Sequence, residues 1–474
     1  MNPRPPVALR FPLAVILLFT LVAATVAQHT AAKPDWDKAR EETVQILSGL
    51  VKIDTSNPPG NETKAAACIK AILDKEGIPS QIYELEPGRG NIVARLKGNG
   101  KKRPILLMGH LDVVGVEREK WTVDPFAALI RDGYLYGRGA SDDKGMTAVC
   151  LEVFLLLHRL KMPLDRDVIF LAEAGEEGTT RAGIDFMVNQ HWPEIECEFA
   201  LNEGGVIYER NGSIQYVGVS STEKVPRGIK LVAKGTSGHG SMPRLDNAIT
   251  HLAAAVAKVG NFQMPMRLNE TTRTFFERLA TISSPDEAKL YKALLDPKES
   301  EAAQEKLRST NIGYNSMLRT SLVPTIIKGG FRSNVIPGDA EATFDVRALP
   351  DEDTDAMVAT LKKLIADPAI EIVPPQRGRP TSPPSGITTE MFLALERAQQ
   401  AMFPQAVTLP MMLTGATDSA QLRAKGVQAY GLGSVVTDEE RARIHGNDER
   451  LSITGIGKFV ELVYRAVTDV AAAK

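Results

Sequence analysis

The chain has 474 residues, with 56 Lys+Arg against 58 Asp+Glu, 43% hydrophobic residues and 24% charged residues. That balance belongs to a folded globular protein and excludes a disordered or collagen-like chain; the near-neutral charge gives no basic footprint for nucleic acid. Three cysteines in so long a chain exclude a disulfide scaffold, and the length predicts two or three domains.

Residues 1–27 read as a secretory signal peptide. Arg4 and Arg10 precede an uncharged apolar run at 11–27, and Thr25-Val26-Ala27 offers small residues for cleavage before Gln28. The alternative is an uncleaved anchor, because the run is just long enough to span a bilayer. The expected location is secreted or periplasmic, with no membrane contact once the signal is removed. Cys68, Cys150 and Cys197 remain, and Cys150 falls in an apolar helical run where a buried, inert thiol is expected.

Helical periodicity predicts a first helix over 35–53, with Trp36, Val44, Leu47, Leu50 and Val51 near one face. A second spans 64–75 and is ended by Gly77. Short β-like runs follow at 81–85, 91–96 and 104–108, the last two separated by Gly98-Asn99-Gly100 as by a hairpin turn. An apolar helix over 144–160, strands at 168–172 and 199–202 and a helix near 182–190 continue an α/β pattern. After about Val217 the order becomes strand 228–233, helix 248–259, strands 322–328 and 341–347, helix 354–365 and strand 370–373. That β-α-β-β-α-β order is the split βαβ, or ferredoxin-like, arrangement. A polar segment at about 261–320 interrupts it with helix-like stretches at 272–279, 283–295 and 299–307, and reads as a helical insertion. A Pro-rich stretch at 374–384 leads back to an α/β pattern that resumes from Thr388. The expected fold is a discontinuous α/β catalytic domain (33–221 and 377–474) with a second domain inserted at 222–376.

Metal-ligand residue types recur at the predicted strand ends. His110 and Asp112 follow the strand at 104–108. In an extended segment residues i and i+2 point the same way, which places Asp112 to hydrogen-bond the His110 ring and fix its tautomer. Asp142 and Asp143 follow a glycine turn ahead of the apolar helix. Their bland reading is an N-cap with a favourable dipole, and carboxylates argue against a phosphate loop here. Glu176 and Glu177 follow the strand at 168–172. Adjacent side chains diverge, so one can bind a metal while the other faces a water. Glu203, beside two glycines at the end of an apolar strand, suits a crevice at strand carboxyl ends. His445 lies in IHGNDE near the C-terminus.

These segments, MGHLDVV, GRGASDDKG, GEEG, LNEGG, GTSGHGSMP, SNVIPGDAEATFDVR, TGATDS and IHGNDERL, stand in order between residues 108 and 451. Together they resemble the co-catalytic zinc amidohydrolases that include acetylornithine deacetylase, succinyl-diaminopimelate desuccinylase, aminoacylase, carboxypeptidase G and carboxypeptidase S. The resemblance implies a zinc-exopeptidase-like α/β/α catalytic domain with a lid or dimerisation domain. It implies two Zn²⁺ ions (Co²⁺ or Mn²⁺ as substitutes) bridged by Asp142, with His110 and Glu203 completing one site and Glu177 and His445 the other. It makes Glu176 the general base, Asp112 the residue that orients His110, and Asp143 a variable position. His239 matches a lid histidine that reaches the substrate carbonyl; Asn334, Arg347 and Gly415 match substrate-binding positions, Arg347 as the grip on a free carboxylate. The expected substrates are dipeptides, C-terminal residues of short peptides or N-acyl amino acids. Gly175 stands where the family often has Asp, and LNEGG is nearer the aminoacylase form than that of the desuccinylases. Alternatives are an acetylornithine- or succinyl-diaminopimelate-type deacylase and a catalytically silent peptide-binding protein. A homodimer through the lid is expected from relatives, unless the insertion covers that surface.

Overall fold

Continuous apolar runs make strands that are buried on both faces, and three of them form the centre of the protein. The computed structural model describes residues 1–3, 33–374 and 378–473. The apolar run of the expected signal peptide lies outside the described residues.

Strands Ile105–His110, Val168–Glu173 and Phe199–Asn202 are parallel neighbours, and every residue in them is buried. They belong to a ten-stranded mixed sheet that runs from Ser80–Glu84 at one edge to Val435–Val436 at the other. Side chains alternate between the two faces. Ile105, Leu107, Phe170 and Ala172 share one core with Leu47, Leu50, Phe154 and Val463. These come from helices Trp36–Val51, Lys144–Arg159 and Ile453–Ala471. Leu106, Met108, Ile169 and Leu171 share a second core with Phe186 and Met187 of helix Ile184–Gln190 and Leu422 of helix Ser419–Ala424. The result is the expected α/β/α layering.

The turn expected at Gly98-Asn99-Gly100 does not join two paired strands. Strand Gly90–Leu96 pairs antiparallel with Val168–Glu173, which separates it from Ile105–His110. The connection instead crosses the end of the inserted strand. The Gly98 N–H donates to Asp167 at 2.8 Å, and a Cβ at Gly98 would lie 2.5 Å from the Arg166 backbone. Apolar residues on both faces favour parallel pairing at the sheet centre over a two-residue hairpin.

The second sheet has four antiparallel strands in the order Ser321–Gly329, Asp339–Ala348, Val225–Lys234, Ile370–Val373. Helices Ala248–Asn261 and Thr354–Ile365 contribute Leu252 and Leu361 to its separate core, with Leu231 and Phe344. This is the expected βαββαβ unit.

The insertion forms four helices, Glu270–Ile282, Pro285–Ala293, Ser300–Thr310 and Ile312–Met317. Sequence order had placed it within the lid. Its apolar residues Phe275, Phe276, Leu279, Tyr291 and Met317 instead join the core of the large sheet. Arg278 also donates to the Thr408 carbonyl of strand Val407–Leu413 at 2.9 Å.

Candidate active site

The three central strands end together: His110 is in register with Glu173, and Leu107 with Leu201. The loops that follow deliver Glu176, Glu177 and Glu203 beside His110, in the crevice at the strand carboxyl ends. Gly109 is required by a close approach, since a Cβ there would lie 2.6 Å from both Asp143 Oδ2 and Thr147 Oγ1.

Asp142 stands between two histidines. His110 Nε2 lies 3.1 Å from Asp142 Oδ1 and 4.0 Å from Glu203 Oε1. His445 Nε2 lies 3.1 Å from Asp142 Oδ2 and 2.9 Å from Glu177 Oε1. Candidate ligand atoms of His110, Asp142 and Glu177, and of His110, Glu176 and Glu203, fall within 4.8 Å of one another. Metal–ligand bonds of about 2.0–2.2 Å require such spacing, so these residues could hold divalent ions; the two groups share His110, while Asp142 is the carboxylate that faces both histidines. Electrostatics agrees. Burial, followed by Glu176 and Asp142, pushes the Glu203 carboxyl well above its ordinary range. Burial works against the charge on Asp142, but its two histidine contacts hold it well below. His445, bonded to Asp142 and Glu177, is pushed up to about 10. So many crowded carboxylates call for a cation.

The adjacent glutamates diverge as expected. Glu177 turns to His445, whereas Glu176 Oε1 meets Arg379 Nη2 at 2.5 Å. Burial and Asp418 push Glu176 up to about 8.

Asp112 meets the His110 ring as expected, but chiefly through its backbone. His110 Nδ1 donates to the Asp112 backbone carbonyl at 2.9 Å, while the carboxylate lies 3.4 Å from that nitrogen. The carboxylate also accepts from the backbone N–H groups of Gly175, Glu176 and Glu177 and from Asn57 Nδ2. It therefore shapes the loop that carries the two glutamates. The i, i+2 rule gave the right neighbour but could not tell carbonyl from carboxylate. Asp143 is buried, makes no side-chain cap and accepts from the His110 N–H at 3.2 Å.

Arg347 and Gly415 line the same cavity of about 460 Å³ as Asp142, Glu176, Glu177, Glu203 and His445. Arg347 uses its Nε to hold Asp345 at 3.1 Å. His239 and Asn334 lie side by side on a small exposed ribbon, where Gly238–His239 pairs with Val335–Ile336. Neither is among the residues that line this cavity.

Three further residues shape the site without a motif of their own. Glu449 accepts from the backbone N–H groups of Ser141 and Asp142 at 2.7 and 3.0 Å, and pairs with Arg138 at 2.6 Å. Arg138 in turn donates to the Gly446 carbonyl at 2.8 Å, tying the Asp142 loop to the His445 loop. Their signal was an Arg and a Glu, each inside a metal-ligand motif. Arg379, from the Pro-rich return, had no such signal.

This geometry is matched in sequence by the family model described as Peptidase family M20/M25/M40, over residues 106–469. The chain belongs to this family. As an M20 member it is a hydrolase of peptide or amide bonds, in a family of metallopeptidases and amidohydrolases. It is similar to the probable carboxypeptidase S-like 2 of Dictyostelium discoideum, 31% identical over 77% of this chain and 72% of that one. It is also similar to the human N-fatty-acyl-amino acid synthase/hydrolase PM20D1, 30% identical over 96% of each chain. Among solved structures, the M20 metallo-carboxypeptidase Sso-CP2 of Sulfolobus solfataricus shares the fold, with a TM-score of 0.67 at 19% identity over 90% of this M20 chain and 98% of that one.

Proposed function

We propose that this chain is an exported dizinc hydrolase that cleaves the amide bond of a small substrate bearing a free carboxylate. The observation that carries the reading is Asp142, whose two carboxylate oxygens each lie 3.1 Å from a different histidine. His110 and Glu203 would hold one zinc, Glu177 and His445 the other, with Co²⁺ or Mn²⁺ as substitutes. Bound ions of this kind polarise a carbonyl and lower the pKa of water. Glu176, in the same cavity, takes the water proton and passes it to the leaving nitrogen. Arg347, whose Nε alone is engaged by Asp345, offers its fork to the substrate carboxylate.

A second cavity, of about 530 Å³, supports N-acyl amino acids over dipeptides. It shares Met411, Leu413 and Arg441 with the first, and its walls include Tyr208, Tyr216, Leu279, Tyr291, Tyr314 and Met317, partly from the insertion. Both volumes lie in the range of about 300–1,000 Å³ that holds small ligands. A substrate anchored at Arg347 with a long acyl arm would fill both. Hydrolysis of a panel of acetyl and dodecanoyl amino acids and dipeptides tests this. The expected order places dodecanoyl substrates first, with all activity abolished by EDTA; a preference for unblocked dipeptides overturns the N-acyl reading.

Export and a homodimer through the lid belong to the same proposal. Strand Ser321–Gly329 is a sheet edge that exposes Val323, Ile326 and Ile327, with Phe331 just beyond it 84% exposed. Apolar edge strands of this kind are normally covered. A second copy would cover it and could bring His239 to the neighbouring site. N-terminal sequencing of the exported protein should begin at Gln28; retention of Met1 overturns the cleavage.

A further inference from the structure

Arg379 lies between the last lid strand, Ile370–Val373, and helix Glu390–Met402. Its side chain is only 13% exposed and forms two ion pairs: Nη2 with Glu176 Oε1 at 2.5 Å and Nη1 with Asp418 Oδ1 at 2.9 Å. Its own backbone carbonyl accepts from Arg227 Nη1 at 2.9 Å, and Arg227 lies on the lid strand Val225–Lys234. Asp418 is 1% exposed at the start of helix Ser419–Ala424, makes no cap bond there, and leaves Oδ2 without a hydrogen-bond partner among the described residues, so Arg379 is its charge partner. One oxygen of Glu176 is thus tied to a fork that also pairs with Asp418 and whose backbone is held by Arg227.

We propose that Arg379 is a positioning residue for Glu176, holding one carboxylate oxygen so that the other keeps a fixed bearing on the substrate. The inference rests on the reading of Glu176 as general base. The planar guanidinium can engage two carboxylates at once in set geometry, which a lysine ammonium cannot reproduce. Apart from Glu176, Arg379 forms no ion pair with His110, Asp142, Glu177, Glu203, His445 or Arg347 among the described residues, so its effect should fall on turnover rather than on substrate or metal binding.

The test is steady-state kinetics of the zinc-loaded full chain, wild type against Arg379→Gln and Arg379→Lys, with zinc content and melting temperature measured alongside. A misplaced catalytic group costs on the order of 100-fold. Arg379→Gln should lose about that factor in kcat, with KM and zinc content unchanged, and Arg379→Lys should be intermediate. If Arg379→Gln does not fold, Arg379→Lys decides: reduced kcat at wild-type KM supports the proposal, and wild-type kcat overturns it. Loss of zinc or a raised KM together with kcat also overturns it, because the role is then structural. Wild type inactive on every amide sinks the base reading itself. Active wild type, inactive Glu176→Gln and normal Arg379→Gln sink the Arg379 inference alone.

Discussion

Glu176 and Glu449 are both carboxylates at the crevice, yet their surroundings differ. Glu176 lines the cavity and forms its ion pair with Arg379, whereas Glu449 is 1% exposed and spends both oxygens on Arg138 and the backbone around Asp142. Glu176→Gln should therefore keep its zinc, by elemental analysis, and lose about 10²–10⁴-fold in kcat. Glu449→Gln should do the reverse. Residues that orient metal ligands carry about 10–100-fold in metal affinity, so competition with a chelator should show that loss. Breaking the buried Arg138 pair should also cost about 3–5 kcal/mol in denaturant unfolding. Wild-type chelator competition in Glu449→Gln would refute the assignment. The metal-ligand candidates were legible because their motifs combine unusual residues at strand ends. Arg379 was not, because an arginine in a proline-rich stretch has no period, and only folding carries it to Glu176.

Helix Lys144–Arg159 shows what burial does to a whole element. Its first three turns are almost wholly covered, and Glu152 goes in with them, both carboxyl oxygens without a partner among the described residues. Burial, followed by the nearby Glu42, pushes Glu152 up to about 8. A carboxyl raised in the folded state binds its proton more tightly there than in the unfolded chain. Its contribution to stability is full below the unfolded pKa and is lost as pH rises through about 8. Glu152→Gln should therefore gain in melting temperature relative to wild type between about pH 5 and pH 8.5; a constant difference would contradict this. The element order itself was readable, since apolar periodicity marks helices and buried strands alike. Pairing was not. The strand Val168–Glu173 separates two runs that look like a hairpin, and the insertion packs on a sheet distant in sequence. Both outcomes depend on contacts between segments far apart in the chain.

For the whole molecule, the two sheets have separate cores, and Arg347 is the lid residue that reaches the cavity of the candidate metal site. His239 stays on an exposed ribbon of the same lid. If a second copy supplies it, mixing His239→Ala with Glu176→Ala should restore up to about a quarter of wild-type activity, because random pairing leaves one intact site in half of the dimers. No recovery in the mixture, or a monomer in sedimentation, would contradict the shared site. Each of these roles requires the crevice to be a two-metal hydrolytic centre. The most direct check is the rate of N-acyl amino acid hydrolysis as zinc is returned to the EDTA-stripped chain. A two-metal centre should show no rate without zinc and full recovery at two equivalents per chain. A rate indifferent to stripping, or a plateau at one equivalent, would contradict it.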